Sequence, residues 1–140
     1  MKVLCVGQSA YDITIPVESY PEENKKYKIK EVFECGGGSC NNAAYLMAKW
    51  NDEVYLASSI GMDDYGRKIK EELASVGVNT NYIEELPNVP TTTSYIINNK
   101  LNGSRTIVTN RSPRLHFSYD FEIDVKPDII LFDGNDLICR

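Results

Sequence analysis

The sequence lacks the features that mark several common classes of protein. The four cysteines, Cys5, Cys35, Cys40 and Cys139, include no C-x-x-C pair, and the one histidine, His116, lies far from them, so no zinc site is expected. No apolar run approaches the roughly 18 residues that a membrane span requires. The N-terminal MKVLCVG is too short for the hydrophobic region of a signal peptide. These absences predict a soluble, cytoplasmic protein with reduced thiols.

The charge pattern does not indicate nucleic acid as a partner. The net charge is −5, and the 15 lysines and arginines are scattered rather than gathered on one stripe. The short lysine cluster within residues 25–30 is typical of a solvent-facing strand. At 140 residues, the chain is long enough for one domain with a buried core.

Three short apolar runs predict strands that are buried on both faces. These runs are residues 2–7, 53–60 and 128–133. Residues 42–50 are apolar nearly all round and predict a buried helix. A second helix is expected from Asp64, with an apolar stripe of Tyr65, Ile69, Leu73 and Val76 and with an Asp at its start and Gly77 at its end as caps. Strand-then-helix units favour an α/β fold with a parallel sheet.

A second, smaller sheet is predicted from segments of another character. Residues 27–34 alternate between apolar and charged side chains, as in a strand with one face in water. Residues 91–98 and 104–110 are rich in β-branched residues and flank Asn102 and Gly103, a strong hairpin signal. These segments interrupt the core elements, as expected of a lid over a cleft.

The segment ECGGGSCNN, residues 34–42, raises the question of what its glycines approach. The P-loop pattern G-x-x-x-x-G-K-S/T is absent, and so is a G-x-G-x-x-G fingerprint after the first strand. Two interpretations stay open. The glycines could let Ser39, Asn41 and Asn42 contact a small polar ligand such as a polyol. Alternatively, they form a tight strand-to-helix turn with an Asn or Ser cap.

The spacing around Asn42 resembles the first signature of the ribokinase-like (PfkB) family of sugar and nucleoside kinases. It reads G-G-x-x-x-N-x-A from Gly37, then G-x-D-x-x-G from Gly61 to Gly66, and the likeness continues through GVNT at residues 77–80. Within the family, LCVG followed by Asp12, the pair YP at 20–21, and IINN followed by NG-x-RTIV are most similar to ketohexokinase- and fructokinase-type members.

This resemblance implies a fold and an architecture. The fold would be α/β and ribokinase-like, a partial Rossmann-like α/β/α core with a small inserted β-sheet lid. Residues 1–140 would form the N-terminal part of a single kinase domain. Its core segments would lie near 2–7, 42–77 and 128–134, and its lid segments near 12–34 and 81–110.

The resemblance also implies an activity, phosphoryl transfer from ATP to a sugar hydroxyl with Mg²⁺. The residues that would bind the sugar are Asp12, Gly37, Gly38, Ser39 and Asn42. Arg105 would lie near nucleotide or phosphate, and the lid would pair with its mate in a homodimer. From the residues alone, Asp12 as a plain turn residue and Arg105 as an exposed lid residue remain alternatives.

Four positions depart from the family's pattern. Cys40 stands where a smaller residue is usual, and Asn51 replaces a glycine, although Asn tolerates the left-handed conformation. Ser39 falls where ribokinases carry lysine, which argues against ribose. Asn24 replaces an acid on the lid of ketohexokinase, which weakens the ketohexose interpretation, so a nucleoside kinase is kept as an alternative.

The family's catalytic loop is absent from these residues. By resemblance, an N-x-x-E segment and a D-T-x-G-A-G-D loop in the C-terminal half supply the base and most contacts to ATP and Mg²⁺. The loop does not occur, and the N-x-x-E match NYIE at residues 81–84 does not lie in a C-terminal half. Asp63 and Asp64 are expected to cap a helix rather than to replace them. The sequence therefore predicts an N-terminal portion of a kinase with no catalytic residue or metal ligand of its own. A non-catalytic sugar-binding or lid-pairing module is the alternative.

Overall fold

A computed structural model describes residues 1–116 and 122–135. Its elements, in chain order, are β1 (Lys2–Val6), β2 (Ala10–Val17), β3 (Phe33–Gly37), α1 (Ser39–Lys49), β4 (Glu53–Gly61), α2 (Asp64–Ser75), β5 (Ile83–Leu86), β6 (Thr93–Asn99), β7 (Arg105–Asn110) and β8 (Ile129–Phe132). None of the helices in these two ranges is long and apolar enough to cross a membrane.

The core sheet has the strand order β5-β4-β1-β8 and is entirely parallel. The three apolar runs at 2–7, 53–60 and 128–133 supply β1, β4 and β8, as predicted. The expected burial on both faces is wrong for β8, in which only Leu131 is partly buried. Leu56 and Ile60 of β4 and Ile69 of α2 are completely buried and belong to the same hydrophobic cluster. Each such side chain stabilises the fold by roughly 1.5–3 kcal/mol on burial. The strand β5 was not predicted, because two of its four residues are glutamates.

The strand β8 lies at one edge of this sheet. It pairs with β1 on one side, and no strand of the described residues pairs with its other side. The side chains of Ile130 and Phe132 are 60% and 48% exposed. The edge therefore presents both apolar side chains and unpaired backbone groups to solvent.

The helix α1 differs from the prediction in its start and in its burial. It begins at Ser39, three residues before the predicted start, and continues directly from the glycine run. Cys40, Asn41 and Ala44 are buried, but Leu46 within the helix is 48% exposed. Trp50, the residue after the helix, is 65% exposed. The expectation of a helix buried all round is wrong for the described residues, where only one face packs on the core sheet.

The second sheet has the strand order β3-β2-β6-β7. The predicted hairpin is confirmed: β6 and β7 are antiparallel, and Gly103 adopts a φ of 72° in their turn. The strand expected at 27–34 is wrong in its bounds, because β3 starts at Phe33 and includes Gly36 and Gly37. The range 81–110 assigned to the lid also contains β5, which belongs to the core sheet.

The strand β2 connects the two layers of the molecule. Its odd-numbered residues face α2, where the ring of Tyr11 stacks on that of Tyr65 with centroids 4.6 Å apart. Lys68 of α2 also bonds Glu34 of β3 at 3.1 Å. The even-numbered residues of β2, including Asp12, face the opposite side of the sheet. One strand thus anchors the second sheet while its other face is open to a cleft.

Candidate acceptor site

An open cleft of about 370 Å³ lies between the start of α1 and one face of the second sheet. Three elements and one junction supply the five predicted site residues that line it, which are Asp12 of β2, Gly38 at the β3–α1 junction, Ser39 and Asn42 of α1, and Arg105 of β7. These residues are far apart in the chain. The fold thus collects an acid, a hydroxyl, an amide and a guanidinium around one solvent-accessible space, a set able to bind a polar ligand with several hydroxyls.

Asp12 lies in the interior of the second sheet. It is opposite Cys35 of β3 and Ser94 of β6. Burial raises the pKa of the Asp12 carboxyl above its ordinary value, while a hydrogen bond from Ser94 and the positive charge of Arg105 act in the opposite direction. The plain-turn alternative for Asp12 is wrong, because the residue is within a strand.

Gly37 does not line the cleft, but it determines where the Asp12 carboxylate lies. A Cβ built on Gly37 would be 2.2 Å from Oδ2 and 2.4 Å from Cγ of Asp12. Any side chain at position 37 would therefore displace the carboxylate. The contribution of Gly37 is space for the acid rather than a contact with a ligand.

Gly38 makes the turn from β3 into α1. Its φ is 94°, and a Cβ would lie 2.5 Å from the carbonyl oxygen of Gln8. No side chain caps the helix start, so the Asn or Ser cap considered from the sequence is not present. Ser39 and Asn42 are exposed on the cleft side, whereas Asn41 is buried at 3% exposure and lies outside the cleft. The two interpretations of the glycines are thus compatible, because Gly38 forms the strand-to-helix turn and also lines the cleft together with Ser39 and Asn42.

Arg105 is the first residue of β7 and is exposed. It lines the cleft, and its positive charge acts to lower the pKa of Asp12. Within residues 1–116 and 122–135, its guanidinium has no ion-pair partner. An unpaired guanidinium beside an open cleft is suited to an anionic group such as phosphate.

Six lining residues were not predicted from the sequence. They are Gln8, Ala10, Ser94, Ile96, Ile107 and Thr109. A signal for four of them was present in the predicted hairpin, since Ser94 and Ile96 share one parity and Ile107 and Thr109 are paired opposite them. What the sequence did not indicate was the parallel pairing of β2 with β6, which places these residues beside Asp12.

The G-x-D-x-x-G motif lies outside the cleft and fixes the start of β6. Asp63 accepts hydrogen bonds from the amides of Gly66 (2.9 Å) and Thr91 (2.8 Å) and from the Thr91 hydroxyl (2.6 Å). A Cβ on Gly66 would be 2.2 Å from the carbonyl oxygen of Gly61. Burial would raise the pKa of Asp63, but these hydrogen bonds outweigh it and hold the pKa below the usual value. The capping role predicted for Asp63 is confirmed, and the motif is structural.

The described cysteines are free thiols, and Cys139 lies outside the described residues. Burial raises the pKa of Cys40 to about 12, and its Sγ donates to the Val6 carbonyl oxygen at 3.0 Å. Among the described residues, no group of three or more His, Cys, Asp or Glu side chains is placed to hold a metal ion. The cleft offers hydrogen-bonding groups and the opposite charges of Asp12 and Arg105.

Comparison with known sequences identifies a family. The profile of the pfkB family of carbohydrate kinases matches residues 1–134. An ATP-dependent ribose-1-phosphate kinase from Halopiger xanaduensis is 29% identical over 69% of this chain and 33% of its own length. A nucleoside kinase from Methanothermobacter thermautotrophicus is 27% identical over 68% of this chain and 31% of its own length. These relatives give no support to the ketohexokinase-type subgroup.

Solved structures share the fold. Arabidopsis thaliana ribokinase, complexed with ribose and ATP, aligns with a TM-score of 0.69 and 26% identity over 78% of this chain and 35% of its own. Ribokinase from Cryptococcus neoformans, in complex with ADP, aligns with a TM-score of 0.78 and 21% identity over 94% of this chain and 41% of its own. The chain spans about a third of the length of the curated relatives it matches. With its ribokinase-like α/β fold and a family match over nearly its whole length, this chain belongs to the pfkB family of carbohydrate kinases.

Proposed function

We propose that the complete polypeptide is a kinase that transfers a phosphoryl group from ATP to a hydroxyl of a sugar or nucleoside, and that residues 1–140 contribute the acceptor side of its active site. The observation that carries the proposal is the cleft in which Asp12, Ser39, Asn42 and Arg105 meet. These side chains offer two acceptor oxygens, several neutral hydrogen-bonding groups and one cation, as a polyol next to a phosphate requires.

Each residue has a proposed role in binding the acceptor. The Asp12 carboxylate accepts hydrogen bonds from two hydroxyls, and the Asn42 amide and Ser39 hydroxyl complement it. Gly38 lets the backbone approach the ligand, because it has no side chain at the helix start. Gly37 holds the position of Asp12, as the close approach of the two residues indicates.

Arg105 is proposed to contact the nucleotide or the transferring phosphate. Phosphoryl transfer is stabilised mainly by positioning and by positive charge around the phosphate oxygens. The base and the principal ATP and Mg²⁺ contacts are assigned to the family's C-terminal motifs, of which the D-T-x-G-A-G-D loop is absent from these 140 residues. On this proposal the described cleft binds and orients the acceptor and does not itself carry the base.

The acceptor is either a sugar or a nucleoside. The likeness to ketohexokinase-type members favours a ketohexose, while the matched ribose-1-phosphate kinase and nucleoside kinase favour a ribose-containing acceptor. Ile96 and Ile107 line the outer wall of the cleft. Such an apolar wall suits the base of a nucleoside, and this observation keeps a nucleoside kinase as the second candidate.

Thermal-shift screening of the complete polypeptide tests the proposal. Fructose, ribose, deoxyribose, ribose 1-phosphate and nucleosides would be screened singly, because a ligand that binds the folded state raises the melting temperature. Hits would then be assayed for ADP formation with MgATP. Binding without ADP formation would indicate the alternative of a non-catalytic sugar-binding module, and no binding by any sugar or nucleoside would refute the acceptor site.

We also propose that the second sheet pairs with its counterpart in a homodimer. All six residues of β7 are exposed, and its outer edge has no partner strand among the described residues. Tyr95 and Val108, which are paired across β6 and β7, are 41% and 58% exposed. Sedimentation of the complete protein would show a dimer, and a Val108→Lys variant would shift it to monomer.

A further inference from the structure

We propose that Glu72 is a positioning residue for the acceptor cleft: from α2, it holds the edge of β3 and so fixes the glycines that support Asp12 and the start of α1. The inference rests on the proposed function, since it concerns the same cleft. Glu72 does not line the cleft and is not part of any motif considered above. Its proposed action passes through the backbone of β3.

The contact is a short hydrogen bond to an edge strand. The strand β3 is outermost in the second sheet, and β2 is its only partner strand within residues 1–116 and 122–135. The amide of Gly36 donates to Glu72 Oε2 at 2.6 Å. Edge strands leave some amides without a partner in the sheet, and Glu72 supplies the acceptor at this position.

Gly36 is confined from two sides. A Cβ built on it would lie 3.0 Å from Glu72 Oε2 and 3.1 Å from Nδ2 of Asn41, which is buried in the first turn of α1. The next residue along the chain, Gly37, lies against the Asp12 carboxylate, and Gly38 starts the helix that carries Ser39. A displacement of Gly36 therefore moves both parts of the proposed acceptor site.

The rest of α2 is held to the second sheet by other contacts. Its first turn is tied to Thr91 through Asp63, Tyr65 stacks on Tyr11, and Lys68 pairs with Glu34. None of these contacts reaches Gly36. Loss of the Glu72 carboxylate should leave the helix docked and release mainly the glycine end of β3.

Three substitutions in the complete polypeptide separate positioning from a general effect on stability. Glu72→Ala removes the acceptor, Glu72→Asp retains the charge on a side chain one methylene shorter, and Glu72→Gln retains an oxygen at the same reach. Glu71→Ala is the matched control, because Glu71 is the neighbouring residue and pairs with Arg67 at 2.8 Å on the solvent side.

The expected kinetic result is a change specific to the acceptor. Glu72→Ala and Glu72→Asp should raise the KM for the acceptor on the order of tenfold, because small displacements of binding groups are costly. The KM for ATP should stay unchanged, and Glu72→Gln and Glu71→Ala should resemble the parent protein. If Glu72→Ala fails to fold, Glu72→Asp carries the test. A lowered melting temperature with an unchanged acceptor KM would overturn the inference.

Amide hydrogen exchange at Gly36, measured by NMR, gives a readout that needs no activity. Exchange should accelerate in Glu72→Ala and Glu72→Asp and stay slow in Glu72→Gln and Glu71→Ala. If no sugar or nucleoside is phosphorylated, the proposed function fails, and exchange at Gly36 then decides whether Glu72 holds β3. Unchanged exchange in Glu72→Ala would overturn the inference even if the enzyme is active.

Discussion

The carboxylate of Asp12 occupies the space that a side chain at Gly37 would need, since a Cβ there would be 2.2 Å from Asp12 Oδ2. Asp12 and Gly37 lie on neighbouring antiparallel strands, two residues out of direct register, because Asp12 pairs with Cys35 and Gly37 with Ala10. The pair connects the glycine run, which has no functional group, to the one acidic side chain that lines the cleft.

Gly37→Ala should weaken acceptor binding chiefly by displacing Asp12. We expect a loss of about 1–3 kcal/mol in binding free energy, comparable to removing a hydrogen-bond partner from a ligand. A double-mutant cycle with Asp12→Ala, measured by calorimetry on the complete protein, checks the mechanism. Once Asp12 is alanine, Gly37→Ala should cost little more, and additive losses would contradict the proposed link.

Asp12→Asn should separate stability from binding. Burial raises the pKa of Asp12, so ionisation of this carboxyl disfavours the folded state; the cost appears as the pH rises above the unfolded pKa and is complete above the folded pKa. The variant should therefore match or exceed the parent in melting temperature at pH 7, with the difference vanishing below about pH 4. Acceptor affinity should nevertheless fall. A clear loss of stability at pH 7 would mean that Asp12 is a structural acid.

Asp63→Ala should destabilise the fold without a direct effect on the ligand. It removes the cap of α2 and the contacts to Thr91, and we expect a loss of about 1–2 kcal/mol in the free energy of unfolding at pH 7. Because hydrogen bonds hold the pKa of Asp63 below its usual value, this stability is present above about pH 4 and is lost as the pH falls through the folded pKa. Urea unfolding at pH 7 and pH 3 checks this.

Asp64→Ala is the control for that experiment. The side chain of Asp64 is 87% exposed and its nearest cation, Arg67, is 3.5 Å away. Its removal should change the free energy of unfolding by less than about 0.5 kcal/mol. Equal effects of the two substitutions would indicate that general helix-start electrostatics, rather than the Thr91 contacts, explain the stabilisation.

A polypeptide of residues 1–140 expressed alone should self-associate through β8. The exposed Ile130 and Phe132 lie on an edge strand that can pair with another chain. Sedimentation velocity should show large or heterogeneous species, and Ile130→Lys should reduce them, because a charge on an edge strand disfavours pairing. Monodisperse monomers from the parent sequence would contradict this.

Local patterns predicted the elements whose residues all favour one structure. The hairpin followed from Asn102 and Gly103, and the core strands β1, β4 and β8 from continuous apolar runs. The strand β2 was not predicted, since it contains Asp12 and Pro16. Pro16 is tolerated because β3 pairs only with residues 10–14 of β2, so one side of the strand needs no amide there.

Motif spacing along the chain predicted one part of the lining of the candidate cleft. Asp12, Ser39 and Asn42 were identified through the family resemblance, and the structure places all three at one cleft. The opposite wall could not be predicted, because the parallel pairing of β2 with β6 joins segments with no shared local pattern. The bounds of β3 were not predicted for a similar reason, since glycines have low strand propensity. Gly36 and Gly37 are extended because they pair with β2, and Gly36 also donates to Glu72.

The stacking of Tyr11 on Tyr65 has an optical consequence. Tyr11 immediately precedes Asp12 in β2, so the ring pair and the cleft lie on opposite faces of two adjacent residues of one strand. Closely stacked tyrosines in a fixed asymmetric setting give a near-ultraviolet circular dichroism signal. This pair is one contributor to the signal of the nine tyrosines in these residues, and a ligand bound at Asp12, as proposed, should change that signal without any label.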